Sequence, residues 1–348
     1  MKILVRGANW IGDAVMSVPA LRQLRRIFPD DHITLHTRSW AEGIFRDASF
    51  IDEIIAFESQ RWKFREVIDN ADFLKQDEYE FAVLFPNSFE SSLTALLSKI
   101  PRRIGYNKDL RGLLLTDPVP VPEWKNRRHE SYYYLNLICE VERRLAGTTA
   151  SAHAEMDTRI EISAYRKEQA RSDLAGAGVD MSQRLVGLGV GSTNSRAKRW
   201  PVERFAELND RLYEAGCSVV LLGSSDDAEV ASQVGNACIH RPSDLTGKTS
   251  LDSVAAILSV LNLFVSNDMG LAHLAPAVET ETIAIFGPTN PDTTRPLSHH
   301  ATVVREPVDC SPCMLRDCPI DHRCMTRIDA GRVFDLSMEK LAVEPVAL

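Results

Sequence analysis

Residues 2–16 read KILVRGANWIGDAVM, and the change of character within this stretch sets the fold. Lys2 to Arg6 is a strand-like apolar run, Gly7 breaks it, and a helical pattern begins near Gly12. Strand, glycine turn and helix open a nucleotide-binding βα unit, in which bare helix N–H groups usually face a phosphate. Here a carboxylate, Asp13, stands at the helix start. Its plainer reading is an acid favoured by the helix macrodipole, at about 0.3–1 kcal/mol. An ordinary helix-end acid needs neither Gly12 before it nor small Ala14 after it, and those neighbours leave the carboxylate open. Gly7 and Gly12 do not complete Gly-x-Gly-x-x-Gly, which argues against a nicotinamide or flavin site.

The same alternation runs along the whole chain. Strand candidates in the first half are KILVRG, HITLHT, IDEIIAF and EFAVLF. The series restarts with LVGLGVG, CSVVLLG, LNLFVSN, TIAIFG and ATVVRE. Helical patterns lie between them, among them PVERFAELNDRLYEAG, with Pro201 in its first turn and Gly216 past its end. This predicts an α/β protein of two αβα domains facing one another across a cleft. The junction is expected in the charged helical stretch at 165–182, dividing the chain into residues 1–170 and 171–348. The second part carries a Cys-rich segment at 310–324 and a C-terminal helix.

A length of 348 residues suits two domains. The net charge of −8 argues against general nucleic-acid binding. No apolar run approaches the roughly 20 residues of a membrane span. KILV is too short for a secretory signal, and Arg6, Asp13 and Arg22 follow it closely, so a cytoplasmic location is expected. Within this acidic chain Lys99, Arg102, Arg103, Lys108, Arg111, Lys125, Arg127 and Arg128 form a basic region. It reads either as a solvated face or as an attraction for an anionic acceptor or lipid headgroups.

Two strand ends in the second half read as anion sites. In VGLGVGSTNSRAKRWP a buried strand runs into a turn bearing Thr193, and Lys198 precedes a helix. Hydroxyls, free N–H groups and a mobile cation make an anion nest, although a solvated lysine would give the same pattern. In LFVSNDMGLAHLAPA an apolar strand passes through Asp268, Met269 and Gly270 into a helix carrying His273. Asp268 is expected to cap that helix, holding the N–H groups of Met269 and Gly270 toward an anion. His273 reads as a ligand or as a buried structural histidine. LTGKTSL is not a P-loop, because Pro242 stands where its first glycine belongs; Thr249 or Ser250 is expected to cap the next helix.

Cys310, Cys313, Cys318 and Cys324 follow C-x2-C-x4-C-x5-C spacing, with His322 among them. Such thiolates suit a structural zinc or iron–sulfur site. Reduced cysteines or a redox-labile disulfide arrangement fit the spacing too. No acidic pair typical of metal-dependent transferases stands out, so a Mg²⁺ requirement is left open.

Taken together, KILVRGANWIGDAVMS, FPNSFESSL, RRIGY, AKRWP, VVLLGSSDDAE, LTGKTSL, SNDMGLAHLAPA and FGPTNPDTTRPLSH resemble the ADP-heptose:lipopolysaccharide heptosyltransferases of glycosyltransferase family 9. The pattern is most like the type II members. The resemblance implies a GT-B fold, with acceptor on the N-terminal half and ADP-heptose on the C-terminal half, and no cofactor for the chemistry. It implies inverting transfer of L-glycero-D-manno-heptose to the first heptose of a lipid A–Kdo–heptose acceptor, by an enzyme at the inner face of the inner membrane. Alternatives are type I transfer to Kdo, a GT-B sugar-nucleotide epimerase, and a non-catalytic nucleotide-sugar-binding protein. By the same resemblance Asp13 is the catalytic base and Lys198 meets the donor phosphates. Thr193, Asp268, Gly270 and His273 line the diphosphate site, and Glu229 matches a carboxylate near the ribose. Met269 departs from the family's Ser or Thr and removes one hydroxyl donor.

Overall fold

The computed structural model describes residues 1–193 and 195–342. The chain divides into two compact units, Met1–Glu161 and Ile162–Leu348. The division precedes the helix in which the sequence placed the junction.

In the first unit the strands are β1 (Lys2–Arg6), β2 (His32–Arg38), β3 (Glu53–Phe57), β4 (Phe81–Leu84), β5 (Arg102–Tyr106) and β6 (Asp117–Val119). The helices are α1 (Ile11–Met16), α2 (Val18–Ile27), α3 (Ser39–Phe45), α4 (Lys63–Leu74), α5 (Phe89–Leu97) and α6 (Glu130–Leu145). The strands form one sheet ordered β3-β2-β1-β4-β5-β6, and every pairing is parallel. A parallel sheet is covered on both faces, so its central strands are apolar throughout. Ile3, Leu4 and Val5 of β1 and all of β4 are accordingly buried. Helix α5 starts where the Ser88 hydroxyl accepts the Ser91 N–H. Arg25 and Arg26 in the last turn of α2 suit its negative dipole end.

The second unit opens with α7 (Ala164–Gly176) and repeats the scheme with β7 (Arg184–Gly189), α8 (Val202–Glu214), β8 (Cys217–Leu221), α9 (Ala228–Ala237) and β9 (Ser243–Asp244). It continues through α10 (Leu251–Leu258), β10 (Leu263–Asn267), α11 (Gly270–Ala277), β11 (Thr282–Phe286), α12 (Pro291–Thr294) and β12 (Ala301–Arg305). Two helices follow, α13 (Arg323–Thr326) and α14 (Ala330–Ala342). The sheet order is β12-β11-β10-β7-β8-β9, again parallel. Phe205, Leu208 and Leu212 of α8 join Val219, Leu221 and Trp200 in its core. Each such fully buried side chain contributes roughly 1.5–3 kcal/mol.

Both sheets have the doubly wound order in which the chain reverses direction beside the first strand. The reversal falls between β1 and β4 in one unit and between β7 and β10 in the other. Ligands of such sheets bind at the carboxyl ends of strands beside that reversal. These are the places where the sequence put Asp13, Lys198 and Asp268.

Three strands differ from expectation. β5 begins with two arginines, and β6 and β9 have only three and two residues, so none shows an apolar run. The basic region is also not a plain solvated face. Arg102 pairs with Asp117 at 3.0 Å. The Arg103 Nε donates to the Leu114 carbonyl at 2.8 Å. Arg111 is fully buried and donates to backbone carbonyls, among them that of Tyr106 at 2.7 Å.

Candidate functional site

Asp13 lies in the first turn of α1, half-buried. The Tyr134 hydroxyl, from α6, donates to its Oδ1 at 2.8 Å. Tyr134 is itself packed edge-on against Phe85, which follows β4, with ring centroids 5.3 Å apart. Burial pushes the Asp13 pKa up; the Tyr134 hydrogen bond pulls down, Glu130 raises it and Lys125 lowers it. A helix start alone would have lowered it, at some loss of basicity. Desolvation is the largest of these effects, and a carboxylate with a raised pKa holds a proton more strongly than an exposed aspartate. Lys125 is held by Glu130, with Nζ 2.6 Å from Oε2, and sits 4.3 Å over the Tyr133 ring. Sequence reasoning missed Tyr134. The run Tyr132-Tyr133-Tyr134 was visible, but only the packing of α6 selects which ring reaches Asp13.

In the second unit Lys198 ends a short 3₁₀ turn, Arg196–Lys198. Its Nζ lies 2.8 Å from Asp268 Oδ2, and the Thr289 hydroxyl donates to that oxygen at 2.7 Å. Asp268 is therefore not the helix cap that the sequence suggested. The N-cap position of α11 is Met269, in extended conformation, with no side-chain cap. Asp268 is instead drawn inward by Lys198 and Thr289, two donors that give a buried carboxylate more than one backbone N–H would. The start of α11 keeps uncapped N–H groups, the arrangement that receives anions. The Met269 sulfur rests close over Gly189, 3.1 Å from where a Cβ would stand.

Asn267, also missed, ties these pieces together. Its Nδ2 donates to the carbonyls of Val190 (2.9 Å) and Gly191 (3.1 Å), and its Oδ1 accepts the Trp200 N–H at 2.9 Å. The end of β10, the turn after β7 and the start of α8 are thus locked to one side chain. His273 is buried on α11. Thr193 is exposed on the turn, and its neighbour Asn194 lies outside the described residues. Glu229 is exposed on α9, its Oε1 3.5 Å from Gln233 Nε2. The acid held at the neighbouring strand end is Asp227, which completes a capping box with Ser224. Ser250 caps α10, accepting the Ser253 N–H at 3.1 Å.

The zinc or iron–sulfur reading of the cysteine spacing, one of three that the sequence allowed, finds no support. Among the described residues no group of three or more His, Cys, Asp or Glu side chains is disposed to hold a metal ion. Cys310 and Cys313 are exposed, Cys324 is buried, and all seven cysteines are free thiols. His322 is engaged elsewhere, its Nε2 2.6 Å from the Ala197 carbonyl. The segment instead braces the Lys198 turn. The Ala197 N–H donates to the Arg316 carbonyl at 2.9 Å and Arg196 pairs with Asp317 at 2.7 Å. On its other side, the Met314 N–H donates to the Pro288 carbonyl at 2.8 Å, one residue from Thr289.

Residues 70–323 match the family described as glycosyltransferase family 9 (heptosyltransferase). The chain belongs to glycosyltransferase family 9. It is 29% identical over 322 residues to the lipopolysaccharide heptosyltransferase 2 of Salmonella typhimurium, with 88% of each chain covered. The corresponding protein of Escherichia coli is 28% identical over 317 residues, again with 88% of each covered. The solved structure of E. coli ADP-heptose lps heptosyltransferase II superposes with a TM-score of 0.85 at 27% identity, covering 98% of both chains. This family 9 protein is thus a glycosyltransferase of GT-B type, built from two Rossmann-like units.

Proposed function

We propose that this family 9 protein transfers L-glycero-D-manno-heptose from ADP-heptose to the first heptose of the lipopolysaccharide inner core, with inversion at the anomeric carbon. The observation that carries this reading is the contrast between its two strand-reversal points. One presents a carboxylate with a raised pKa, Asp13. The other presents Lys198 beside an uncapped helix start. A proton acceptor on one unit and an anion-binding turn on the other divide the needs of nucleotide-sugar transfer. The similarity to heptosyltransferase 2 proteins supports the choice of sugar and acceptor.

In the proposed reaction the acceptor is bound by the N-terminal unit and Asp13 takes the proton of its attacking hydroxyl. The hydroxyl oxygen bonds to the anomeric carbon as the bond to the ADP oxygen breaks, and the electron pair leaves with ADP. The transition state has oxocarbenium character, which a nearby carboxylate favours. The departing diphosphate needs cations and N–H groups more than a proton. Lys198, Thr193, His273 and the N–H groups at Met269 and Gly270 bind it, Asp268 holds Lys198 in place, and Glu229 binds the ribose. Backbone donors serve where Met269 replaces the family's hydroxyl. No metal ion is assigned a step.

We place the reaction at the cytoplasmic face of the inner membrane. Among the described residues no helix is long and apolar enough to cross a membrane. Trp10, Trp62 and Phe64 of the first unit are exposed, which suits contact with a lipid-anchored acceptor.

The test is ADP release from ADP-heptose with core acceptors bearing no, one or two heptoses. Release confined to the one-heptose acceptor is expected. Turnover with the heptose-free Kdo acceptor, or ADP formed without acceptor, would replace this reading with type I transfer or with epimerase-type chemistry.

A further inference from the structure

Arg6, the last residue of β1, plays no part in the reaction proposed above, yet its side chain is almost completely enclosed, at 7% exposure. Its Nη1 donates to the Gly7 carbonyl at 2.5 Å and its Nη2 to Asn9 Oδ1 at 2.8 Å. The Phe57 ring lies 4.6 Å from the guanidinium carbon. All of these partners are neutral. Arg38, at the end of β2, stacks on the same ring at 4.5 Å. Its charge is met by Glu66 at 2.9 Å, which also takes Lys63 at 3.2 Å. One carboxylate is thus shared by two other cations, and the remaining acid nearby, Glu90, is exposed. Burial, with the neighbouring Arg38 charge, outweighs the attraction of Glu66 and presses the Arg6 pKa down to about 9, which leaves it cationic at neutral pH. An enclosed cation with no carboxylate of its own in contact is costly to keep.

These side chains border a cavity of about 230 Å³ at the carboxyl ends of β1, β2 and β3. Ser88 and Ser91, at the start of α5, complete its wall. We propose that this cavity binds an anionic substituent of the sugar acceptor, a carboxylate or a phosphate, with Arg6 as its counter-ion. The proposal rests on the N-terminal unit being the one that binds acceptor. A guanidinium fork matches the planar oxygens of either group. His36 adds a second polar group. Burial first, then the Arg6 charge, brings its pKa down to about 3, so the ring is neutral. Asn70 Nδ2 donates to the Glu66 carbonyl, turning Asn70 Oδ1 toward His36 Nε2 at 3.1 Å. That places the proton on Nε2 and leaves Nδ1, which has no hydrogen-bond partner, as an acceptor for a sugar hydroxyl.

The test uses the full chain and isothermal titration at low ionic strength, with excess ADP present to occupy the second unit. The probes are inorganic phosphate and free Kdo. The decisive variant is Asn9→Asp, which sets a carboxylate within reach of Arg6 without emptying the cavity. It is expected to melt at or above the wild-type temperature and to lose probe affinity at least tenfold. In the ADP-release assay its acceptor KM rises by a similar factor, while kcat and the ADP-heptose KM stay within twofold. Tighter binding of Kdo assigns the site to a carboxylate, and tighter binding of phosphate assigns it to a phosphate substituent. If neither probe binds the wild type, or Asn9→Asp binds both unchanged, the subsite is refuted. The titration needs no turnover, so a chain inactive on every acceptor but binding an anion through Arg6 would refute the transfer reading and keep the subsite.

Discussion

The Tyr134 hydroxyl is bonded to Asp13 Oδ1 at 2.8 Å, joining a residue of α6 to one that follows β1 across more than a hundred positions of sequence. The bond opposes the burial that raises the Asp13 pKa. Tyr134 thereby limits how far burial raises the pKa of the carboxylate, and α6 supplies the hydroxyl that holds it.

Tyr134→Phe removes the pKa-lowering hydrogen bond and leaves the ring in place. The Asp13 pKa then rises further. Because the base must be ionised to accept a proton, the acid limb of the kcat/KM profile moves to higher pH. Loss of the bond also costs roughly 0.5–1.5 kcal/mol of stability. Paired pH–rate profiles and thermal melts check both effects.

Lys198→Met weakens ADP-heptose binding and leaves Asp268, only 5% exposed, without its cation. An uncompensated buried charge destabilises a fold, so the variant melts earlier. Adding Asp268→Asn recovers part of the lost Tm but none of the donor affinity. A double-mutant cycle read by Tm and by ADP titration separates the two roles.

His322→Ala releases the Ala197 carbonyl and loosens the turn that carries Lys198. The ADP-heptose KM rises several-fold, whereas the acceptor KM stays unchanged. Steady-state kinetics with each substrate varied in turn checks this.

Acid stability has a local source in Glu142, fully buried on α6. Burial pushes its pKa up, but hydrogen bonds from Arg26, the Ser151 N–H and Thr148 outweigh that and hold it at about 2. A pKa depressed on folding contributes stability that is present above the unfolded value of about 4.5 and fades as pH falls toward 2. Glu142→Gln therefore lowers Tm at pH 7, and the gap from wild type closes on acidification through that window.

The framework of both sheets was legible because parallel strands buried on two faces write themselves as continuous apolar runs. β1, β4, β7 and β10 did so, and β1, β7 and β10 lead into the turns that hold Asp13, Lys198 and Asp268. β5, β6 and β9 were not legible: two arginines open the first, and the others are too short to show a pattern. Asp13, Lys198 and the helix after β10 stood out as candidates because glycine turns and helix starts leave local marks. Tyr134, Asn267 and Arg6 left none, since their partners are decided by packing between elements far apart in sequence. Asp268 was misread as a cap for the same reason: Lys198, seventy positions earlier, competes for its carboxylate. The cysteine spacing suggested a metal, but spacing does not say that His322 is held by the Ala197 carbonyl.

Steady-state transfer by Asp13→Asn, measured beside its ADP affinity and its melting temperature, bears most directly on the proton-acceptor role of Asp13. Turnover should fall by about 10²–10⁴-fold while ADP binding and Tm stay close to wild type. A folded Asp13→Asn protein that transfers heptose within tenfold of the wild-type rate would contradict it.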